Sequence, residues 1–138
     1  MTLKNIDKYY IIDVKNSQLI DDVRDTVCES ARGTFTVRGK KAYILYKTDT
    51  ASVTMIYDGR ELIMRRQGEI RSNMRFIEGE ETQSEYIMPY GKLSINIATE
   101  LLEAALGENG GQLRLKYILT ISGEEYYNDM KIKILGVN

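Results

Sequence analysis

The stretch RELIMRRQGEIRSNMRF, Arg60 to Phe76, sets Arg65, Arg66, Arg71 and Arg75 among apolar side chains and one glycine. Guanidinium groups gathered in this way can hold carboxylate or phosphate through paired N–H donors, so the first chemistry to weigh is anion binding. The second is acid–base chemistry. Carboxylates cluster in EGEET (Glu78, Glu80, Glu81) and GEEYYND (Glu124, Glu125, Asp129), both beside glycine turns where a solvated acidic loop is the ordinary outcome. Histidine is absent from the chain, which removes every Ser-His-Asp or Cys-His pair and every imidazole metal site. Cys28 is the sole cysteine. Neither an intramolecular disulfide nor a thiolate-rich zinc site can form, and with no imidazole to activate the thiol it reads as a small filler on a strand. GENGGQ, around Gly110 and Gly111, lacks the Lys-Ser/Thr of a phosphate loop and reads as a turn. The chain is therefore expected to be non-catalytic, with no cofactor and no metal.

The elements that position these residues follow from composition and turn chemistry. With 138 residues, 43% hydrophobic and 28% charged, the chain suits one domain over 1–138 with a genuine core. A formal net charge of -1 gives no whole-molecule attraction for polyanions and argues against nucleic acid as the main partner. The start, MTLKNIDKYYIIDVK, shows no apolar leader, and nowhere do roughly eighteen apolar residues run together as a membrane span requires. A cytoplasmic location is expected from this and from the single cysteine.

Turns punctuate a chain of alternating apolar and polar residues. Gly39-Lys40 pairs Val37 with Ala42 and Phe35 with Ile44; Thr48-Asp49 pairs Tyr46 with Ala51; Asp58-Gly59 pairs Tyr57 with Arg60 and Met55 with Leu62. A three-residue loop Arg66-Gln67-Gly68, with Gly68 left-handed, sets Arg65 opposite Glu69 and Met64 opposite Ile70. Leu62, Met64, Ile70, Ser72, Met74 and Phe76 then face inward beside Phe35, Val37, Ala42, Ile44, Tyr46, Val53, Met55 and Tyr57. On this reading Arg66 sits at one rim. Arg71 and Arg75 lie outward about 13 Å apart, at roughly 3.3 Å per residue, too far to clamp one phosphate, so a wet face with an Arg65/Glu69 pair is preferred.

Further along, Pro89 and Gly91 break a strand before Leu93, Ile95 and Ile97. ATELLEAALG is ambiguous, because residues 98–106 match helical spacing while Ile95 to Leu101 continue the alternation. Leu113, Leu115, Tyr117, Leu119 and Ile121 alternate inward, and a Gly123-Glu124 turn returns Tyr126, Asn128, Met130, Ile132 and Ile134 to the same face; the first strand, DKYYIIDVK from Asp7, contributes Tyr10, Ile12 and Val14. Eight to ten strands joined by short hairpins with one apolar face are expected to curl and close, giving an all-β, single antiparallel meander barrel.

RRQGEIRSNMRFIEG, YIMPYGKLSI and YILTISGEEYYNDMKIKI, in that order, resemble the YwiB-like family of small bacterial proteins, a domain of unknown function. The resemblance spans nearly the whole chain and implies a calycin- or lipocalin-like barrel, with 98–101 continuing a strand. It brings no catalytic or binding residues with it.

The registers gather Tyr46, Tyr57, Tyr86, Tyr117, Tyr126 and Asn128 in the interior, which from Phe35 onward carries no charge beyond Arg60 at the rim. Such a lining suits a small hydrophobic or amphipathic ligand with Arg66 as a contact for an acidic head, or else it simply fills itself. Two other classes remain: a homodimer or protein-interaction module using outward Leu45, Ile56, Ile63 and Ile118, and a polyanion binder using the arginine-rich hairpin.

Overall fold

Period-two alternation of apolar and polar side chains runs through ten consecutive strands, and the ribbon they form closes on itself. The computed structural model describes residues 9–137; Asp7 and Lys8, expected to begin the first strand, lie outside them. The strands are β1 (Tyr9–Ile20), β2 (Val23–Arg38), β3 (Lys41–Lys47), β4 (Ala51–Tyr57), β5 (Glu61–Gly68), β6 (Arg71–Ile77), β7 (Glu81–Met88), β8 (Gly91–Gly107), β9 (Gly110–Ile121) and β10 (Glu124–Val137). Each pairs antiparallel with its neighbour in sequence, and β10 returns to β1, which is the expected meander barrel. Among the described residues no helix is long and apolar enough to cross a membrane.

Four turns sit elsewhere than the sequence suggests. Tyr46 pairs with Val53 and Tyr57 with Leu62, so the central turn residues are Asp49-Thr50 and Gly59-Arg60. In the second, the Asp58 carboxylate accepts the backbone N–H groups of Arg60 at 2.9 Å and Glu61 at 2.7 Å, while Gly59 takes φ 97°. Asp58 thus closes the turn from outside it, as Asp side chains do. The last turn is Ser122-Gly123, both left-handed at φ 51° and 81°. The largest slip is in the arginine-rich hairpin: β5 runs on to Gly68, Met64 faces Met74, and the turn is Glu69-Ile70. Gly68 is therefore not a left-handed loop residue; a Cβ there would collide with the backbone oxygen of Thr50. The expected Arg65/Glu69 pair is replaced by Arg65 opposite Asn73.

Every slip is by two or four residues, and an even slip leaves each side chain on its original face. Inside and outside consequently survive. Ile70 is the exception, lifted to the turn tip at 51% exposure, and Val37 at the end of its hairpin is also exposed.

Two long strands each change partners along their length. Residues 23–33 of β2 pair with β1 and residues 33–38 with β3; Gly33 stands at the corner, where a Cβ would strike the carbonyl oxygen of Leu45. In β8, a bulge between Thr99 and Leu101 switches the inward set from Ile95, Ile97 and Thr99 to Leu102 and Leu106. That switch explains the helix-like spacing of 98–106: one inserted residue in a strand brings apolar positions into adjacent places. β6 and β7 share only two ladder pairs, Arg71 with Ile87 and Ser72 with Tyr86. Beyond them side-chain hydroxyls stand in for backbone donors, Thr82 Oγ1 to Arg75 O at 2.6 Å and Ser84 Oγ to Asn73 O.

Ile12, Ile44, Met55, Leu62, Phe76, Ile95, Ile97, Leu113, Leu115, Ile132 and Ile134 are each at most 1% exposed. No water-sized space adjoins such side chains, so the middle of the lumen is filled. Phe76 and Tyr117 meet edge to face at 4.8 Å, as do Tyr10 and Phe35 at 5.4 Å.

Candidate functional site: the polar mouth of the barrel

Because β5 continues past Arg66, parity places that residue inward, after Leu62 and Met64, and not in a loop. The same parity on β2, read back from Phe35, Gly33 and Ala31, directs Glu29 inward. The two meet: Arg66 Nη2 lies 3.0 Å from Glu29 Oε2, and Tyr46 donates its hydroxyl to Glu29 Oε1 at 2.7 Å. This cluster bridges the corner where β2 has left β3, and it corrects the expectation of an uncharged interior.

Its electrostatics are internally consistent. Burial alone would raise Glu29, but hydrogen bonds from Arg66 and Tyr46 and the guanidinium charge hold it below the usual carboxylate range. Arg66 is raised in turn by its hydrogen bond to Glu29. Burial, then the hydrogen bond to Glu29, drives the Tyr46 phenol far up, so it stays a donor at any physiological pH.

Around the ion pair the mouth is partly polar and partly apolar. Burial raises Tyr86, with the Arg66 charge opposing and Tyr126 adding to the shift. Asn128 is buried; its Oδ1 accepts from Asn16 and Gln18, each at 3.0 Å, and its Nδ2 donates to the Tyr126 carbonyl at 2.9 Å. Asn16 Oδ1 is buried without a partner. On the concave face of β2, beyond Glu29, Val27 and Val23 are 60% and 63% exposed, and Leu93 stands exposed on the inward face of β8.

Of the expected site residues, Tyr46, Arg66, Tyr86, Tyr126 and Asn128 gather toward this mouth. Tyr117 is deeper, buried against Phe76. Tyr57 is at the opposite end, influenced by burial and by Asp58 and Glu78. Glu29 escaped the sequence reading, although its alternation with Ala31 and Phe35 carried the signal. Cys28 lies exposed on β2. The outward apolar residues divide: Ile56 and Ile63 are directly opposite each other, whereas Ile118 belongs to β9 on another flank. Among the described residues no cluster of His, Cys, Asp or Glu could hold a metal ion.

The model of a family described as a domain of unknown function, DUF1934, matches residues 12–134. The chain belongs to this DUF1934 family. The match runs from Ile12 in β1 to Ile134 in β10, so the family's unit is the whole closed barrel. A curated relative, the "Uncharacterized beta-barrel protein YwiB" of Bacillus subtilis (strain 168), is 27% identical over 127 residues, covering 87% of this chain and 89% of the relative. The crystal structure of the Bacillus subtilis ywiB protein superposes with a TM-score of 0.85 at 22% identity, over 95% of this chain and 94% of that one. That likeness establishes a shared barrel fold.

Proposed function

We propose that this DUF1934 barrel is a non-catalytic binding protein for a small amphipathic molecule bearing a carboxylate, held at the mouth and not in the filled lumen. The observation that carries the reading is the inward, partly buried Arg66–Glu29 pair, followed on the same face of β2 by the exposed Val27 and Val23. A ligand carboxylate displaces Glu29 from one edge of the guanidinium, Tyr46 remains a hydroxyl donor, and the apolar tail covers the valines. The unpartnered Asn16 Oδ1 offers an acceptor for a ligand hydroxyl. Absence of histidine supports binding over catalysis, and the unpaired exposed Cys28 supports a reducing, cytoplasmic setting.

The test is a thermal-shift and native mass-spectrometry series with alkyl carboxylates of increasing chain length. Stabilisation that grows with chain length, is lost in Arg66→Met and is strengthened in Glu29→Gln is expected. A flat response across the series, with a bare protein in the native mass spectrum, overturns the reading.

A further inference from the structure

A groove of about 750 Å³ opens on the outer wall at the short pairing of β6 with β7, flanked by β5 and β8, and reaches in as far as Arg66, Ser72 and Ser84. We propose that this groove is a second site, for a small phosphorylated polyol, which differs from the mouth in its cations Arg65 and Arg71 and borders it at Arg66. Its cations are Arg65 and Arg71, both exposed, with Arg66 reaching its inner margin. Arg65 lies opposite Asn73. Arg71 is therefore one diagonal step away on the neighbouring strand, at a spacing of about 7–8 Å that long side chains span easily. The pairing seen here differs from the one that separates Arg71 from Arg75: two guanidinium groups can converge on one phosphoryl group.

Most arginines of the outer surface have a partner: Arg24 bonds the Ser17 hydroxyl and Arg32 lies over the Tyr9 ring, whereas Arg38 stands without a bond among the described residues at the tip of the β2–β3 hairpin, away from any other arginine. Arg60, Arg75 and Arg114 each hold a carboxylate, Glu80, Glu61 and Asp129 respectively. Arg65 and Arg71 have no ion pair or hydrogen bond through their side chains among the described residues. Like charges on diagonal positions oppose each other, and folding gains nothing from leaving them together. At the groove the Ser84 hydroxyl bonds the Asn73 carbonyl, and farther along β6 the Thr82 hydroxyl bonds that of Arg75, so carbonyls beyond the ladder pairs are not left unsatisfied.

The remaining lining identifies the ligand class. Gln67, Ser72 and Ser94 present side-chain donors and acceptors that bond nothing else among the described residues, and Glu85 supplies an acceptor for hydroxyl groups. No aromatic side chain lines the groove. Nucleic acid single strands depend on aromatic platforms for their bases, so a compact anion with hydroxyls fits better than an oligonucleotide. The volume is that of a small-molecule site.

Backbone amide NMR of the full chain tests this, titrating inorganic phosphate, a sugar monophosphate and a single-stranded oligouridylate in turn. Saturable shifts confined to β5–β8 are expected, tighter for the sugar monophosphate than for inorganic phosphate. Arg65→Gln and Arg71→Gln each weaken it by roughly tenfold or more, the loss of one charge-assisted hydrogen bond. Arg65→Lys falls between, since lysine keeps the charge and loses the fork. Arg75→Gln, outside the groove, leaves affinity within about twofold and controls for general charge. The proposal is overturned by absence of saturable shifts in a folded protein, by binding indifferent to Arg65→Gln and Arg71→Gln, or by the oligouridylate binding more tightly than the sugar monophosphate. Alkyl carboxylate binding at the mouth is lost in Arg66→Met and kept in Arg65→Gln and Arg71→Gln, so the two readings fail separately.

Discussion

Replacing Arg66 by methionine removes the guanidinium and leaves an aliphatic stem of similar reach. Glu29 then keeps Tyr46 as its sole hydrogen-bond partner while still partly buried. A hydrogen bond to a charged group contributes about 1.5–3 kcal/mol when well buried. Here the side chains are 37% and 23% exposed, and screening reduces the pair toward the upper end of surface ion pairs, about 1 kcal/mol. Adding the cost of a half-satisfied carboxylate gives a loss of about 1–2 kcal/mol at neutral pH, or roughly 5 °C in Tm for a chain of this size.

The pH dependence has a definite sign. Glu29 is depressed in the folded protein, so its stabilisation is complete above its unfolded value, about 4.3, and is lost as pH falls through the folded value. In Arg66→Met, burial is unopposed by the guanidinium and Glu29 rises, so protonation relieves the variant as pH falls. The stability gap between the two proteins therefore narrows between pH about 7 and about 4. Urea unfolding followed by tyrosine fluorescence suits a chain with ten tyrosines and no tryptophan. A double-mutant cycle with Glu29→Gln should show coupling of about 1 kcal/mol at neutral pH. Additive effects within about 0.5 kcal/mol, with a gap indifferent to pH, refute the reasoning.

Gly33→Ala places a Cβ against the Leu45 carbonyl at the barrel corner, and a loss of about 3 kcal/mol or more in urea unfolding is expected. Gly59→Ala meets no atom but keeps φ 97°, so its loss should stay near about 1–2 kcal/mol. Phe76→Ala opens the filled lumen and should cost about 3–5 kcal/mol in the same assay. Ser84→Ala with Thr82→Val removes the hydroxyl bridges between β6 and β7; hydrogen exchange should quicken in those two strands before others, at about 1 kcal/mol per lost bond.

Much of this fold was legible because parity is robust. The Thr48, Asp58, Arg66 and Gly123 turns were all displaced, yet by even steps, so Met64, Met74, Phe76 and Asn128 still face inward. Turn position depends on details that local sequence states weakly, such as whether Asp58 occupies the turn or caps it. The bulge in β8 was hidden for a related reason: an inserted residue imitates helical spacing, and only the pairing of Leu102 with Leu115 distinguishes the two. The site was legible in part. Tyr46, Tyr86, Tyr126 and Asn128 were found through alternation, but ending β5 at Arg65 turned Arg66 into a rim residue and hid its partner Glu29. Charge on an inward position looks like an argument against the strand, whereas here it completes a corner that backbone pairing leaves open.

The most direct measurement of where this barrel binds is a methyl and arginine-side-chain NMR map taken while an alkyl carboxylate is added. Shifts centred on the Arg66 guanidinium and the Val23 and Val27 methyl groups, with Ile12, Leu113 and Ile132 unmoved, are the predicted result. Shifts centred on those deep methyl groups, with Arg66 unmoved, would contradict the filled lumen and the mouth together.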